Sequence, residues 1–220
     1  MVKLVHTVRL PERGDTSVKK ILLTAFEPFG GEKINPALEA VRLVKAPENV
    51  ELTKLTVPTS FARSAECVLA AIGSVAPDIV LCVGQAGGRK AITPERVAIN
   101  LDDAKICDND GNMPHDMPIV KDAPTAYFAT LPVKKIAAAL NEAGIAAEIS
   151  CSAGTFVCNH LMYSVLHCAA QERPAMQAGF IHVPYIPEQT SEKCPETPSM
   201  PLESIVRGLE IALEILENEP

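Results

Sequence analysis

Residues 145–186, IAAEISCSAGTFVCNHLMYSVLHCAAQERPAMQAGFIHVPYI, contain the pattern that determines the expected fold. Two short apolar segments, 145–150 and 179–186, have the β-branched content typical of strands. Between them, residues 156–170 have the length and the apolar content of a helix. A strand, a helix and a second strand in this order predict a unit of an α/β sheet.

The same alternation extends through the rest of the chain. Apolar runs predict further strands at residues 21–26, 50–58, 78–84 and 96–103. Helical spacing of apolar residues predicts helices at residues 60–74, 133–140 and 202–216. The segment from residue 105 to residue 125 is rich in Asp, Asn, Gly and Pro and predicts a long irregular loop, a type of loop that often carries function.

Length and composition indicate one globular domain in a reducing compartment. The chain has 220 residues, of which 47% are hydrophobic and 21% charged, and no composition boundary divides it. We assign residues 21–220 to this domain and residues 1–20 to an N-terminal arm or a cloning remnant. Seven cysteines without a C-x-x-C pair predict free thiols, a cytoplasmic location and no zinc site.

The charge and the hydropathy pattern also limit the possible partners. A net charge of −7 with only 4% aromatic residues is not typical of a nucleic-acid-binding protein. No apolar run approaches the roughly 18 residues of a membrane span, and the N-terminus does not resemble a signal peptide. The glycine-rich segment GQAGGR, residues 84–89, matches no nucleotide-binding motif. We therefore expect no nucleic-acid, membrane or nucleotide partner.

Cys158 is the cysteine whose position favours reactivity. If Thr155 is the N-cap of the helix, Cys158 lies at N3, where unpaired N–H groups and the helix dipole favour a thiolate. This predicts a lowered pKa and alkylation of Cys158 before the other cysteines at mildly acidic pH. Packing accounts for most of the remaining cysteines, so the alternative is that Cys158 too is a small buried hydrophobe.

A cysteine hydrolase also needs a base, and five histidines compete for that role. His160 and His167 lie on the same helix as Cys158 but point to other faces of it. His6 belongs to the arm, and His115 lies in the long loop. His182 lies near the end of the strand that follows the cysteine helix, at the sheet edge where α/β proteins bind ligands. A satisfied core histidine is an equally good interpretation of His182.

The acid that would orient the imidazole cannot be selected from the residues alone. Glu95 follows a proline turn and precedes a strand, which would hold its carboxylate in place. Asp78, Asp102 and Asp103 are alternatives, and Arg96 could instead pair with Glu95 at the surface.

Four segments together resemble one family. LLTAFEPFGG, GQAGGRKAITPERVAIN, GTFVCNHLMYS and GFIHVPYIPEQ are similar, in order and spacing, to those of the pyroglutamyl peptidase I (pyrrolidone-carboxylate peptidase) family of cysteine peptidases. The similarity runs from about Ile21 nearly to the C-terminus. Residues 1–20 have no counterpart in it, and Cys107 stands where the family more often has proline.

The resemblance implies an activity and a set of site residues. It implies removal of N-terminal pyroglutamate from peptides without metal or cofactor, by a triad of Glu95, Cys158 and His182. It further implies an uncharged substrate pocket formed by Phe26, Phe29, Gln85, Ile106, Phe156 and Val157. The implied fold is a single-domain, three-layer α/β/α sandwich with a mixed, mostly parallel central sheet, and the implied assembly is a homo-oligomer, a tetramer.

Two rival hypotheses differ from this one in testable ways. A thiol amidase acting on another small lactam or amide would share the triad but differ in the pocket. A catalytically silent binding or scaffold protein would keep the fold without a reactive cysteine.

Overall fold

The structure is a computed structural model that describes residues 18–191 and 193–219. Strands form at β1 (Lys19–Phe26), β2 (Val50–Val57), β3 (Ile79–Gln85), β4 (Thr93–Pro94), β5 (Val97–Ile99), β6 (Ala126–Phe128) and β7 (Gln177–Val183). Helices form at α1 (Pro36–Leu43), α2 (Phe61–Val75), α3 (Val133–Glu142), α4 (Val157–Glu172), α5 (Pro187–Thr190) and α6 (Leu202–Glu217).

The central sheet is mixed and mostly parallel. Its strands lie in the order β2-β1-β3-β7-β4, and only the pairing of β4 with β7 is antiparallel. Strands β5 and β6 form a separate antiparallel pair. The carboxyl ends of β1, β3 and β7 therefore meet at one edge of the sheet, the edge at which such sheets bind ligands.

Alternate residues of the central strands face two different helical layers. Leu23, Leu81 and Ile181 pack into one apolar core together with residues of α1, α3 and α6. Leu22 and Val80 pack into a second core with residues of α2 and α4. Helices cover both faces of β1 and β3, so nearly every side chain of these strands is buried. This burial explains why their sequences are almost continuously apolar. The three layers of the predicted sandwich are thus present.

Local sequence signals account for the helix ends nearest the site. Asn35 precedes Pro36, and its side-chain oxygen accepts a hydrogen bond from the Ala37 N–H, so it caps α1. Ser60 caps α2 in the same manner. Helix α1 and the short α5 are absent from the predicted elements.

Two predicted strands differ from the structure, and the predicted loop agrees with it. Residues 145–150 are not a strand, since they contribute only isolated bridges, Ile92 with Ala147 and Glu95 with Ser150. The strand predicted at 96–103 is limited to Val97–Ile99. Residues 105–125 form the irregular loop that their composition predicts.

The boundary of the domain lies slightly before the predicted one. Lys19 and Lys20 already belong to β1 and pair with β2, so they are not part of an arm. The remainder of the predicted arm, residues 1–17 with His6, lies outside the described residues. Among the described residues, no helix is both long and apolar enough to cross a membrane.

Candidate active site

The Cys158 thiol lies over Gly84, the residue of the central sheet that pairs with His182. Gly84 and His182 are paired residues of the parallel strands β3 and β7, so their side-chain positions project from the same face. A Cβ added at Gly84 would lie 3.0 Å from the Cys158 Sγ. The absence of a side chain at Gly84 thus leaves the space that the Cys158 thiol occupies, on the sheet face from which His182 projects.

Cys158 is the second residue of α4. The N-cap of this helix is Phe156, and no side chain caps it. The predicted cap was wrong, because the Thr155 hydroxyl donates its hydrogen bond to the Asp103 carbonyl at 2.7 Å instead. Cys158 still lies in the first turn, where backbone N–H groups have no partner within the helix.

Glu95 fixes the orientation of His182. The His182 Nδ1 lies 2.7 Å from the Glu95 Oε1, and the two residues are only 3% and 0% exposed. A carboxylate can only accept, so Nδ1 carries the proton and Nε2 is the basic nitrogen. Glu95 reaches this position because it follows β4, the short strand that pairs with His182 and Ile181.

Arg89 is a further member of this cluster. Its guanidinium donates to the Glu95 Oε1 at 2.6 Å, to the Ser152 carbonyl at 3.1 Å and to the Thr93 hydroxyl. It was not predicted as a site residue, although it ends the segment GQAGGR. In the same segment Gly88 has a φ of +88°, a conformation that favours glycine.

The surroundings of the dyad keep Glu95 charged and His182 neutral. Burial alone would raise the pKa of Glu95, but the hydrogen bonds from His182, Ser150 and Arg89 lower it below its ordinary value. Burial lowers the pKa of His182 and outweighs the opposing effect of Glu95. A neutral, oriented imidazole on the same sheet face as the Cys158 thiol is suited to act as a general base.

The predicted lowering of the Cys158 pKa is wrong. Burial, reinforced by the negative charge of Glu95, raises the pKa of the Cys158 thiol to about 12. The helix start favours the anion, but the loss of hydration opposes it more strongly. The thiol is therefore protonated at neutral pH and needs a base to become a nucleophile.

The other candidate acids and histidines take part in separate interactions. His160 Nδ1 lies 2.8 Å from the Asp102 Oδ2, and His167 Nδ1 lies 2.9 Å from the Tyr127 hydroxyl. His115 lies at the surface, 3.8 Å from Asp103. Asp78 accepts a hydrogen bond from the Lys20 N–H.

An enclosed cavity adjoins the thiol. It is small and is lined by Phe26, Phe29, Asn35, Thr59, Gln85, Phe156, Val157 and Cys158. Five of the six predicted substrate-binding residues are among these. The exception is Ile106, which is 50% exposed and does not line the cavity. Three larger depressions on the described part of the chain are more open, and none of the three is lined by Glu95, Cys158 or His182.

Asn35 and Thr59 line the cavity but were not predicted. Asn35 has a signal in the sequence, since Asn before Pro marks a helix start. Thr59 has no such sequence signal, because its hydroxyl donates to a group that is distant in sequence, the Glu27 carbonyl, at 2.8 Å. Within the described residues, no group of three or more His, Cys, Asp or Glu side chains could hold a metal ion.

The sequence matches the pyroglutamyl peptidase family model over residues 19–219. The chain belongs to the pyroglutamyl peptidase family. The predicted family, enzyme class and fold are thereby confirmed.

Similar proteins of this family cover nearly the whole chain. The pyrrolidone-carboxylate peptidase of Alkaliphilus oremlandii is 52% identical over 202 residues, which are 91% of this chain and 94% of that protein. The pyrrolidone-carboxylate peptidase 1 of Streptococcus pneumoniae is 54% identical over 198 residues, 90% of this chain and 92% of that protein. The crystal structure of pyroglutamyl peptidase I from Bacillus amyloliquefaciens superposes with a TM-score of 0.88 at 48% identity, covering 91% of this chain and 96% of that one.

Proposed function

We propose that this chain is a cysteine exopeptidase that hydrolyses the amide bond after an N-terminal pyroglutamyl residue and releases 5-oxoproline. In this proposal Cys158 is the nucleophile, His182 the general base and acid, and Glu95 the residue that orients His182. The observation that carries the proposal is the buried 2.7 Å contact between the His182 Nδ1 and the Glu95 Oε1. Gly84, which pairs with His182 in the sheet, lies beneath the Cys158 thiol.

The cavity beside Cys158 binds the pyroglutamyl ring. This ring is uncharged and lacks the free amine that an ordinary aminopeptidase binds, so apolar walls and a few amide partners must recognise it. Phe26, Phe29 and Phe156 supply aromatic walls, and Gln85 supplies an amide.

Acylation begins with proton transfer. The His182 Nε2 takes the thiol proton while the Cys158 Sγ attacks the pyroglutamyl carbonyl carbon. A backbone N–H at the start of α4 donates to the oxyanion that forms. The C–N bond then breaks, the proton passes from His182 to the leaving amine, and a thioester remains on Cys158.

Deacylation repeats these roles with water as the nucleophile. His182 takes a proton from the water that attacks the thioester, the C–S bond breaks, and the proton returns to the sulfur. 5-Oxoproline leaves and the thiol is regenerated. Throughout, the Glu95 carboxylate stabilises the imidazolium without taking its proton.

The assembly and location are further parts of the proposal. Large apolar side chains are exposed at Ile106, Met113, Met117 and Phe128, as expected of a chain that forms a homo-oligomer, here a tetramer. Light scattering should give a molar mass four times that of one chain. All seven cysteines lie within the described residues and are free thiols, which supports a cytoplasmic location.

The activity is tested by release of a fluorescent amine from a pyroglutamyl amide under reducing conditions. Prolyl and alanyl amides serve as alternative substrates, and Cys158→Ala and Cys168→Ala as matched variants. We expect cleavage of the pyroglutamyl compound alone, abolished only by Cys158→Ala. Equal cleavage of the prolyl or alanyl amide would favour a different amidase, and no cleavage by the folded chain would contradict the proposal.

A further inference from the structure

Gln189, on the short helix α5, has a side-chain amide whose orientation is fixed by the backbone. The residue is 7% exposed, and its Oε1 accepts a hydrogen bond from the Ile186 N–H at 3.2 Å. The two ends of an amide are similar in shape, but a backbone N–H can only donate. The oxygen of Gln189 must therefore face Ile186, and its nitrogen must point the other way.

The nitrogen of Gln189 reaches the glutamine of the cavity. Gln189 Nε2 donates to the Gln85 Oε1 at 2.9 Å, and longer contacts of 3.4 Å lead to the Ile34 carbonyl and the Glu32 Oε2. The donor and acceptor groups of the Gln189 amide are thus all in use. This arrangement leaves one orientation for Gln85, with its oxygen toward Gln189.

Gln85 then has its amide nitrogen available for a ligand. It is 9% exposed and lines the cavity beside Cys158. Among the described residues, none accepts a hydrogen bond from the Gln85 Nε2. The cavity, which Gln85 lines, is a place where this donor can meet a ligand.

We propose that Gln189 is a positioning residue that determines specificity, because it holds Gln85 with its amide nitrogen toward the carbonyl oxygen of the substrate's lactam. This inference rests on the proposed function and extends it. The lactam carbonyl is the group that distinguishes a pyroglutamyl from a prolyl residue. A site built to donate to it rejects a ring without it, since the donor would stay buried and unpaired.

Glu32 stabilises the same arrangement from behind. Its Oε1 lies 2.6 Å from the Lys193 Nζ, and its Oε2 faces the Gln189 nitrogen. A glutamate at position 189 would place a carboxylate beside both the Gln85 oxygen and Glu32. Gln85 would have to turn its nitrogen toward position 189, and its oxygen would then face the lactam carbonyl.

A double-mutant cycle tests the inference. Gln189→Leu, Gln85→Leu and the double variant are compared with the original chain by kcat and KM for a pyroglutamyl amide. For Gln189→Leu we expect kcat/KM to fall about tenfold, the value of one neutral hydrogen bond, mainly through KM. In the Gln85→Leu background, adding Gln189→Leu should have almost no further effect, because the group that Gln189 positions is already absent.

A second variant and a binding measurement keep the test independent of folding. Gln189→Glu has almost the same shape, and we expect it to weaken inhibition by 5-oxoproline at least about tenfold. The rate of Cys158 alkylation by iodoacetamide should be unchanged in both variants, which would show an intact triad. The inference would be overturned if the Gln189 variants had an unchanged KM and an unchanged affinity for 5-oxoproline. It would also be overturned if the loss of kcat/KM in the double variant equalled the product of the two single losses. Failure of the original chain to cleave the amide would instead refute the proposed function.

Discussion

A methyl group added at Gly84 should disturb both the core and the site. In Gly84→Ala the new Cβ would lie 2.8 Å from the Phe180 Cζ and 3.0 Å from the Cys158 Sγ. Ordinary van der Waals contact begins at 3.4 Å, so the Phe180 ring would have to retreat by 0.6 Å. This ring is buried and packs against His182, with 4.7 Å between the ring centroids.

The expected losses of stability and of activity in Gly84→Ala follow from that packing. Insertion of a methylene into a well-packed core costs about 1–3 kcal/mol, which for a chain of this size lowers the melting temperature by about 2–4 °C per kcal/mol. Because Phe180 contacts His182, its movement also displaces the base relative to the thiol. A displacement near 1 Å can cost about a hundredfold in rate, so we expect kcat to fall about tenfold to a hundredfold.

The assay compares Gly84→Ala with Gly73→Ala. Gly73 lies inside helix α2 with no atom within 4 Å of an added Cβ. Gly73→Ala should stabilise the protein by about 0.5–1 kcal/mol and leave kcat unchanged. Thermal unfolding and amide hydrolysis are measured for both. If Gly84→Ala matched Gly73→Ala in both measurements, the close packing of Gly84, Phe180 and Cys158 could not be what positions the thiol.

Further predictions concern the chemistry of the same residues. Glu95→Gln should lower kcat by about a hundredfold to ten-thousandfold, since an amide does not hold the required tautomer; activity near that of the original chain would contradict the role of Glu95. Because burial lowers the pKa of His182 and raises that of the Cys158 thiol to about 12, kcat/KM should stay level from about pH 7 to pH 8.5 and fall only below about pH 6.5; a fall beginning at neutral pH would refute this assignment. The free energy of unfolding should also decrease below about pH 6.5, because the unfolded chain then binds a proton that buried His182 does not; chemical denaturation at several pH values measures it, and a rise in stability would show the opposite sign. Iodoacetamide at pH 6 should modify exposed Cys107 before Cys158, as peptide mass spectrometry can determine, and the reverse order would indicate a preformed thiolate.

Much of the fold could be predicted because the relevant signals are local. Strands β1 and β3 are apolar runs bounded by turn residues, and α6 has a clear helical period. Residues 145–150 have a similar composition but form only bridges, because the segment beside them provides just the two-residue strand β4. The length of a neighbouring strand is not visible in the segment itself, so this prediction failed.

The candidate site depends mostly on distant partners. Glu95 and His182 are 87 positions apart, and only the sheet register brings them together, so the residues alone left several acids open. The family resemblance selected Glu95, and the structure places it on His182. Thr155 has the composition of a helix cap, but a carbonyl 52 positions away takes its hydroxyl. The raised pKa of Cys158 has the same origin, since burial depends on the tertiary packing and the helix start is only a local feature.

The most direct measurement is covalent labelling with a pyroglutamyl chloromethyl ketone, followed by peptide mass spectrometry of all seven cysteines. This reagent presents the ring to the cavity and an electrophilic carbon to the nucleophile. We predict a single adduct on Cys158, formed much more slowly by His182→Ala and blocked by 5-oxoproline, while the prolyl analogue gives none. Labelling of another cysteine, or equal labelling by both reagents, would contradict the assignment of Cys158 and its cavity.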